Sequence, residues 1–195
     1  MIVNIRGTSG SGKSTLARRI IEQYKGCACR IKRPNRKQPF GYYLTRATKV
    51  GELGGLGKAL VVVGHYESPC GGCDTIKTYE EVFAAVRDGH KLGHDVLFEG
   101  LLLSTDKNHI TKLAKEHPND HLIIGLDVPV DECLRSVNER RRAKKPDADD
   151  VNPKGTTSKH GTNKRAMAQF ISDGLNAEWH DRDGAYYRIC EVLGL

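Results

Sequence analysis

Near its start the chain carries Gly7-Thr8-Ser9-Gly10-Ser11-Gly12-Lys13-Ser14, in which glycine, lysine and serine fall at the spacing GxxxxGK[ST]. Those residue types at that spacing suit one task, the grip of a polyphosphate. Gly7, Gly10 and Gly12 let the backbone curl until amide N–H groups point inward at phosphate oxygens. A helix opening immediately afterwards adds its positive end. Lys13 is placed to neutralise β- and γ-phosphates, the Ser14 hydroxyl is placed to ligate Mg²⁺, and Thr15 completes the cradle. The bare pattern occurs by chance in other chains. Here the strand-like Ile2-Val3-Asn4-Ile5 precedes it and a helical apolar pattern follows, which is the context the loop needs. ATP and Mg²⁺ are the expected cosubstrate and metal.

Other residues offer chemistry to a bound triphosphate. Glu99 follows the apolar run Val96-Leu97-Phe98, so a carboxylate stands at the end of a buried strand, where it can hold Mg²⁺ through water. Leu126-Asp127-Val128-Pro129 leads into a helical stretch bearing Arg135, then Arg140, Arg141 and Arg142. This looks like the lid region of small nucleotide and metabolite kinases, whose arginines meet the charge that builds during phosphoryl transfer. An ordinary solvated helix end is the plain alternative. Asp74, in the glycine-rich turn Cys70-Gly71-Gly72-Cys73-Asp74-Thr75-Ile76, can take an acceptor's hydroxyl proton as general base. Glu99 is the other candidate for that role, and the sequence does not choose between them. His65 is a weaker candidate, better read as structural.

A cationic stretch, Arg30, Lys32, Arg33, Arg36 and Lys37, precedes Tyr42 and Tyr43. The expectation is a β-rich insertion over residues 27–58 with a basic rim able to contact nucleic-acid phosphates. A solvated loop is its plain alternative. Six cysteines are present; Cys27, Cys29, Cys70 and Cys73 have some of the spacing of a zinc site, but reduced thiols are the simpler reading.

These residues need a scaffold. Strand patterns at residues 2–5, 59–63, 96–98 and 122–126 alternate with helical patterns near 13–24, 79–89, 106–117 and 131–142. Thr78-x-x-Glu81 is a capping box, with Gly89 read as the helix stop. Residues 143–164 lack large apolar side chains and read as a mobile loop, giving a lid-like segment over 135–163; helices follow near 164–173 and 185–193. The expected fold is α/β, a mostly parallel sheet of the P-loop NTPase, nucleoside-kinase-like type, with helices on both faces. At 195 residues, 38% hydrophobic and 28% charged, one domain is expected. No apolar run approaches the roughly 18–20 residues of a membrane helix, and no signal peptide is read, so a cytoplasmic location is expected. The formal net charge of +7 favours polyanionic partners.

Taken together, the phosphate loop, Gly41-Tyr42-Tyr43-Leu44-Thr45, Gly64-His65-Tyr66-Glu67 with the Cys70–Ile76 turn, and Phe98-Glu99-Gly100-Leu101 resemble the bacteriophage P-loop DNA kinases that act on 5-hydroxymethyluracil. The resemblance runs over most of residues 2–142, and the Gly-Gly-Cys-Asp-Thr-Ile turn is its more specific part. It implies phosphorylation of the 5-hydroxymethyl group of that base in phage DNA, a step that primes the base for hypermodification, in the host cytoplasm. A base inside a duplex must be flipped out, and Tyr42 or Tyr43 could then stack on it, although both read at least as readily as core strand residues. Two rivals share the loop: a kinase for a free nucleoside, nucleotide or metabolite, and a nucleic-acid-dependent ATPase. Transfer of one phosphoryl or of a pyrophosphoryl unit, and the oligomeric state, are left open.

Overall fold

The central strands are near-continuous buried runs, such as Leu60–Val63 and His121–Leu126, so both faces of the sheet must be covered. In β1 (Ile2–Arg6), Ile2 faces one core, while Val3 and Ile5 face the other. The computed structural model describes residues 1–47, 58–69 and 71–195. The other strands are β2 (Ala28–Ile31), β3 (Gly41–Leu44), β4 (Leu60–Val63), β5 (Asp95–Glu99), β6 (His121–Leu126) and β7 (Ala177–His180). The helices are α1 (Lys13–Ile21), α2 (Tyr79–Lys91), α3 (Asn108–Glu116), α4 (Val130–Lys144), α5 (Pro153–Ser172) and α6 (Arg182–Leu193).

The strands lie in the order β2-β3-β4-β5-β1-β6-β7. The pairs from β4 through β7 are parallel, whereas β2 and β3 add an antiparallel edge. The expected α/β fold is thus present. One core packs Val61, Val63, Val96 and Phe98 against Val82, Phe83 and Val86 of α2, and against Met167 and Phe170 of α5. The other packs Leu60, Val62, Leu97 and Ile124 against Leu16 and Ile20 of α1 and Ile189 of α6. Each such fully buried side chain contributes about 1.5–3 kcal/mol. None of the described helices is long and apolar enough to cross a membrane.

Because the central strands are parallel, their carboxyl ends share one edge, where ligands of such sheets bind. The phosphate loop follows β1 there, residues 64–76 follow β4, and residues 100–106 follow β5.

Several expectations need correction. Residues 143–164 are not one loop, since α5 starts at Pro153. Asn152 caps it through its side-chain oxygen, which accepts from the Lys154 amide at 3.0 Å, and proline suits the first turn. The buried face of α5 begins only at Asn163, Ala166 and Met167, so the earlier turns lack an apolar period. Only the residues between α4 and α5 remain irregular, and the Val151 amide ties them to Asn138 Oδ1 at 2.9 Å. The capping box forms, Thr78 Oγ1 accepting from the Glu81 amide at 3.2 Å. Its helix passes through Gly89, which packs closely on Val96 and Val61, and the chain turns at Gly93, whose φ is +83°. Strand β7 escaped notice because Ala-Glu-Trp-His is half-buried and not an apolar run. Residues 48–57 of the expected insertion lie outside the described residues, as does Cys70.

One buried group makes stability sensitive to acid. His121 is buried, and neither ring nitrogen has a hydrogen-bond partner among the described residues. Burial, with the positive fields of His117 and Arg6 behind it, pushes its pKa from 6.5 to about 3. Between those values the unfolded chain binds a proton that the folded chain refuses. Stability is therefore intact above pH 6.5 and declines as pH falls toward 3, by up to about 1.4 kcal/mol per pH unit. In circular-dichroism melts, His121→Leu should show a shallower fall in Tm between pH 6.5 and pH 5 than the parent chain; equal falls would contradict this.

Candidate active site

The phosphate loop joins β1 to α1. Gly10 and Gly12 have φ values of +82° and +102°, a region that side chains rarely adopt. Gly10 also touches α4, because a Cβ there would lie 2.1 Å from the Cys133 carbonyl oxygen. Lys13 Nζ donates to the carbonyls of Gly7 at 2.8 Å and Thr8 at 3.0 Å, inside the loop. Ser9, Gly10, Gly12, Lys13, Ser14 and Thr15 line a cleft of about 820 Å³, while Gly7, Thr8 and Ser11 are buried behind it.

Glu99 ends β5 on the floor of the same cleft and is 1% exposed. Ser14 Oγ donates to Glu99 Oε1 at 2.8 Å, so the two expected metal-holding groups meet. Burial pushes the Glu99 carboxyl pKa up; the Lys13 charge and the Ser14 hydrogen bond oppose it. Burial likewise pushes Lys13 down, opposed first by Glu99 and then by Asp74. This set of hard oxygen donors around a strained buried charge suits Mg²⁺.

Asp74 stands at the cleft's mouth in a short 3₁₀ turn, Cys73–Thr75. Its Oδ2 accepts from the Leu101 amide at 2.8 Å and its Oδ1 from the Leu102 amide at 3.2 Å. The glycines before it let the turn lie flat on β5. At Gly72, φ is +74° and an added Cβ would lie 2.3 Å from Glu99 Oε1; at Gly71 it would lie 1.9 Å from the His65 carbonyl oxygen. His65 is buried, and its backbone pairs with Gly72, which is a structural role.

Among the arginines of α4, the structure brings only Arg140 to the cleft, beside Ser136 one turn earlier. Arg135 and Arg141 are exposed on other faces and do not line it, since neighbours on a helix point about 100° apart. Arg142 is paired with Asp150. Among the lining residues the sequence did not mark are Arg18 and Arg182. Arg18, one turn after Ser14, donates from Nε to the Tyr66 carbonyl at 3.1 Å and holds the turn after β4. Arg182 donates from Nε to the Ser11 carbonyl at 3.0 Å and pairs with Glu132. Spacing on α1 could have pointed to Arg18, but nothing local marks Arg182.

The cationic stretch has divided work. Arg30 pairs with Glu67 at 2.6 Å. Arg36 donates to the Thr75 carbonyl at 2.6 Å and to Thr75 Oγ1 at 2.7 Å, which makes it a brace for the Asp74 turn. Lys32, Arg33 and Lys37 are exposed, with Arg33 over the Phe40 ring at 5.1 Å. Tyr42 and Tyr43 are not free stacking platforms. The Tyr42 hydroxyl accepts from the Tyr66 amide at 3.1 Å, and Tyr43 meets His94 edge-on at 5.2 Å. Cys27 and Cys29 are exposed with sulfurs 3.1 Å apart, while Cys73 is buried and donates to the Val63 carbonyl. No metal-holding group of three His, Cys, Asp or Glu gathers among the described residues.

If the turn depends on its glycine contact with Glu99, Gly72→Ala will push that carboxylate aside. Calorimetry should then show magnesium–ATP binding weakened by at least about tenfold, given the added strain of a side chain at positive φ. Unchanged affinity would contradict the packing argument.

No protein-family model matches the chain. It is 40% identical over 193 residues, 98% of its length and 96% of the relative's, to the 5-hmdU DNA kinase of Pseudomonas phage PaMx11. It is 28% identical over 184 residues to that of Pseudomonas phage M6, covering 88% of the chain and 86% of the relative. To that of Delftia phage PhiW-14 it is 27% identical over 197 residues, covering 93% and 68%.

Proposed function

The chain belongs to the bacteriophage 5-hmdU DNA kinase family, and on that premise we propose that it moves the γ-phosphoryl group of ATP to the 5-hydroxymethyl oxygen of 5-hydroxymethyl-deoxyuridine in DNA. The observation that carries this reading is that the phosphate loop, buried Glu99 and the exposed Asp74 turn share one cleft. The cleft therefore has a phosphate floor and a carboxylate at the entrance where an acceptor arrives.

The division of labour follows from burial and hydrogen bonding. Inward-facing amides and Lys13 hold the β- and γ-phosphates, and Arg140 and Arg182 add positive charge at the rim. Ser14 and Glu99 are the groups that would hold Mg²⁺, which when bound neutralises charge on the phosphate oxygens. Glu99 is thereby occupied on the floor. Asp74, at the mouth and kept in one orientation by two backbone amides, takes the proton. The acceptor oxygen forms its bond to the γ-phosphorus, and the bond to the β–γ bridging oxygen breaks. ADP leaves with that electron pair, and the hydroxyl proton passes to Asp74.

Incubation with γ-labelled ATP should place label on an oligonucleotide containing 5-hydroxymethyl-deoxyuridine and none on one containing thymidine. Label on free nucleosides alone would favour a small-molecule kinase, and hydrolysis with no labelled acceptor would favour an ATPase. In the same assay Lys13→Ala should lower kcat by about a hundredfold to a thousandfold, the usual cost of removing one charge-stabilising donor.

The cations separate by salt dependence. Arg33→Ala or Lys37→Ala should each flatten the slope of log affinity for DNA against log salt by about one. Arg36→Ala should leave the slope alone and lower kcat, because its guanidinium braces Thr75. Equal slopes for all three variants would remove this loop from the DNA site.

A further inference from the structure

Extruding a base leaves a gap in the duplex, and closing that gap favours the flipped-out state. Neither Tyr42 nor Tyr43 is available for this, as both are committed to packing. An exposed apolar side chain stands beside the cleft in the turn after β5. Leu102 is 54% exposed, next to Leu101, which lines the cleft, and Leu103, which is buried at 2%.

The turn that carries Leu102 is anchored on every side. The Ser104 amide donates to the Gly100 carbonyl at 3.0 Å, and Thr105 donates to the Leu102 carbonyl from its amide at 3.1 Å and its hydroxyl at 2.9 Å. Asp74 holds the Leu101 and Leu102 amides from the cleft side. From beneath, the buried guanidinium of Arg6 donates to the carbonyls of Leu103 at 2.9 Å and Ser104 at 2.7 Å. Leu102 is thus a stiff apolar projection, held by the same carboxylate that faces the acceptor. Across the Asp74 turn lies the cationic loop, joined to it through Arg36 and Thr75, with Arg33, Lys37 and Lys77 around a second hollow whose helix side carries Glu81 and Asp88. Cations on one side of the mouth and a rigid leucine on the other match a DNA duplex, with a phosphate backbone to grip and a base stack to enter.

We infer that Leu102 is a wedge that enters the base stack beside the target nucleotide and fills the space its base vacates. The inference rests on the reading above that the acceptor is a base in DNA. It makes Leu102 a residue that distinguishes duplex from single-stranded substrate, since a single strand has no paired stack to hold open.

The test uses the full chain and oligonucleotides carrying one 5-hydroxymethyl-deoxyuridine, either single-stranded or paired with adenine. Leu102→Ala should lower the ratio of kcat/KM on duplex to that on single strand by about tenfold, and Leu102→Phe should keep the ratio near that of the parent chain. An abasic site opposite the target, which leaves the base unpaired, should restore most of the duplex rate to Leu102→Ala. With 2-aminopurine beside the target, the parent chain should raise its fluorescence on binding and Leu102→Ala should not. An unchanged ratio, or an equal loss on both substrates, overturns the wedge while leaving the kinase reading intact. Failure of the parent chain to label either DNA overturns the kinase reading and the wedge with it.

Discussion

Glu99 is a carboxylate almost wholly withdrawn from water, and what keeps it tolerable is the Lys13 ammonium nearby and the Ser14 hydroxyl that donates to it. Burying such a charge is costly unless it is compensated. The compensation here comes from the first two residues of α1, which tie the end of β5 to the phosphate loop. The parallel pairing of β1 with β5 sets that distance, because Ile5 lies in register with Glu99. The arrangement is incomplete electrostatically: both Lys13 and Glu99 are pushed toward their neutral forms by burial. On the proposed reading, a metal–triphosphate would bring the opposite charge to each of them.

The acceptor side hangs from the same point. Gly72 lies against Glu99, Asp74 follows two residues later, and its carboxylate locks the turn after β5. Arg36 ties that assembly to the cationic loop, and Arg18 ties it to α1 through the Tyr66 carbonyl. Displacing any one of these moves the Asp74 carboxylate relative to the phosphate loop. Geometry matters more than chemistry in such a reaction, since phosphoryl transfer depends on position and charge.

Local rules made part of this readable beforehand. The phosphate loop is legible because its backbone conformations demand glycine at fixed spacing, and Glu99 because a carboxylate ending a buried parallel strand stands at the edge where ligands of such sheets bind. The turn through Asp74 and the resemblance it carries were legible for the same reason, and relatives from phages agree with the family read there. Contacts between distant segments were not. Arg182 reaches the loop from 171 residues away, and Arg36 meets Thr75 from 39 away, so no window of sequence contains either relation. The first turns of α5 lack apolar periodicity because they are largely solvent-facing, and the strand β7 because it is only half-buried. Helical phase separates Arg140 from Arg135 and Arg141, which composition alone groups together.

The dependence on Glu99 can be measured without turnover. Calorimetric titration of ATP with magnesium, and with magnesium chelated, should show the intact chain binding the magnesium complex far more tightly than the bare triphosphate. In Glu99→Gln that preference should shrink or vanish, with bare ATP bound at least as well as before. An intact chain indifferent to magnesium, or a Glu99→Gln chain with the full preference, would contradict the central role given to this buried carboxylate.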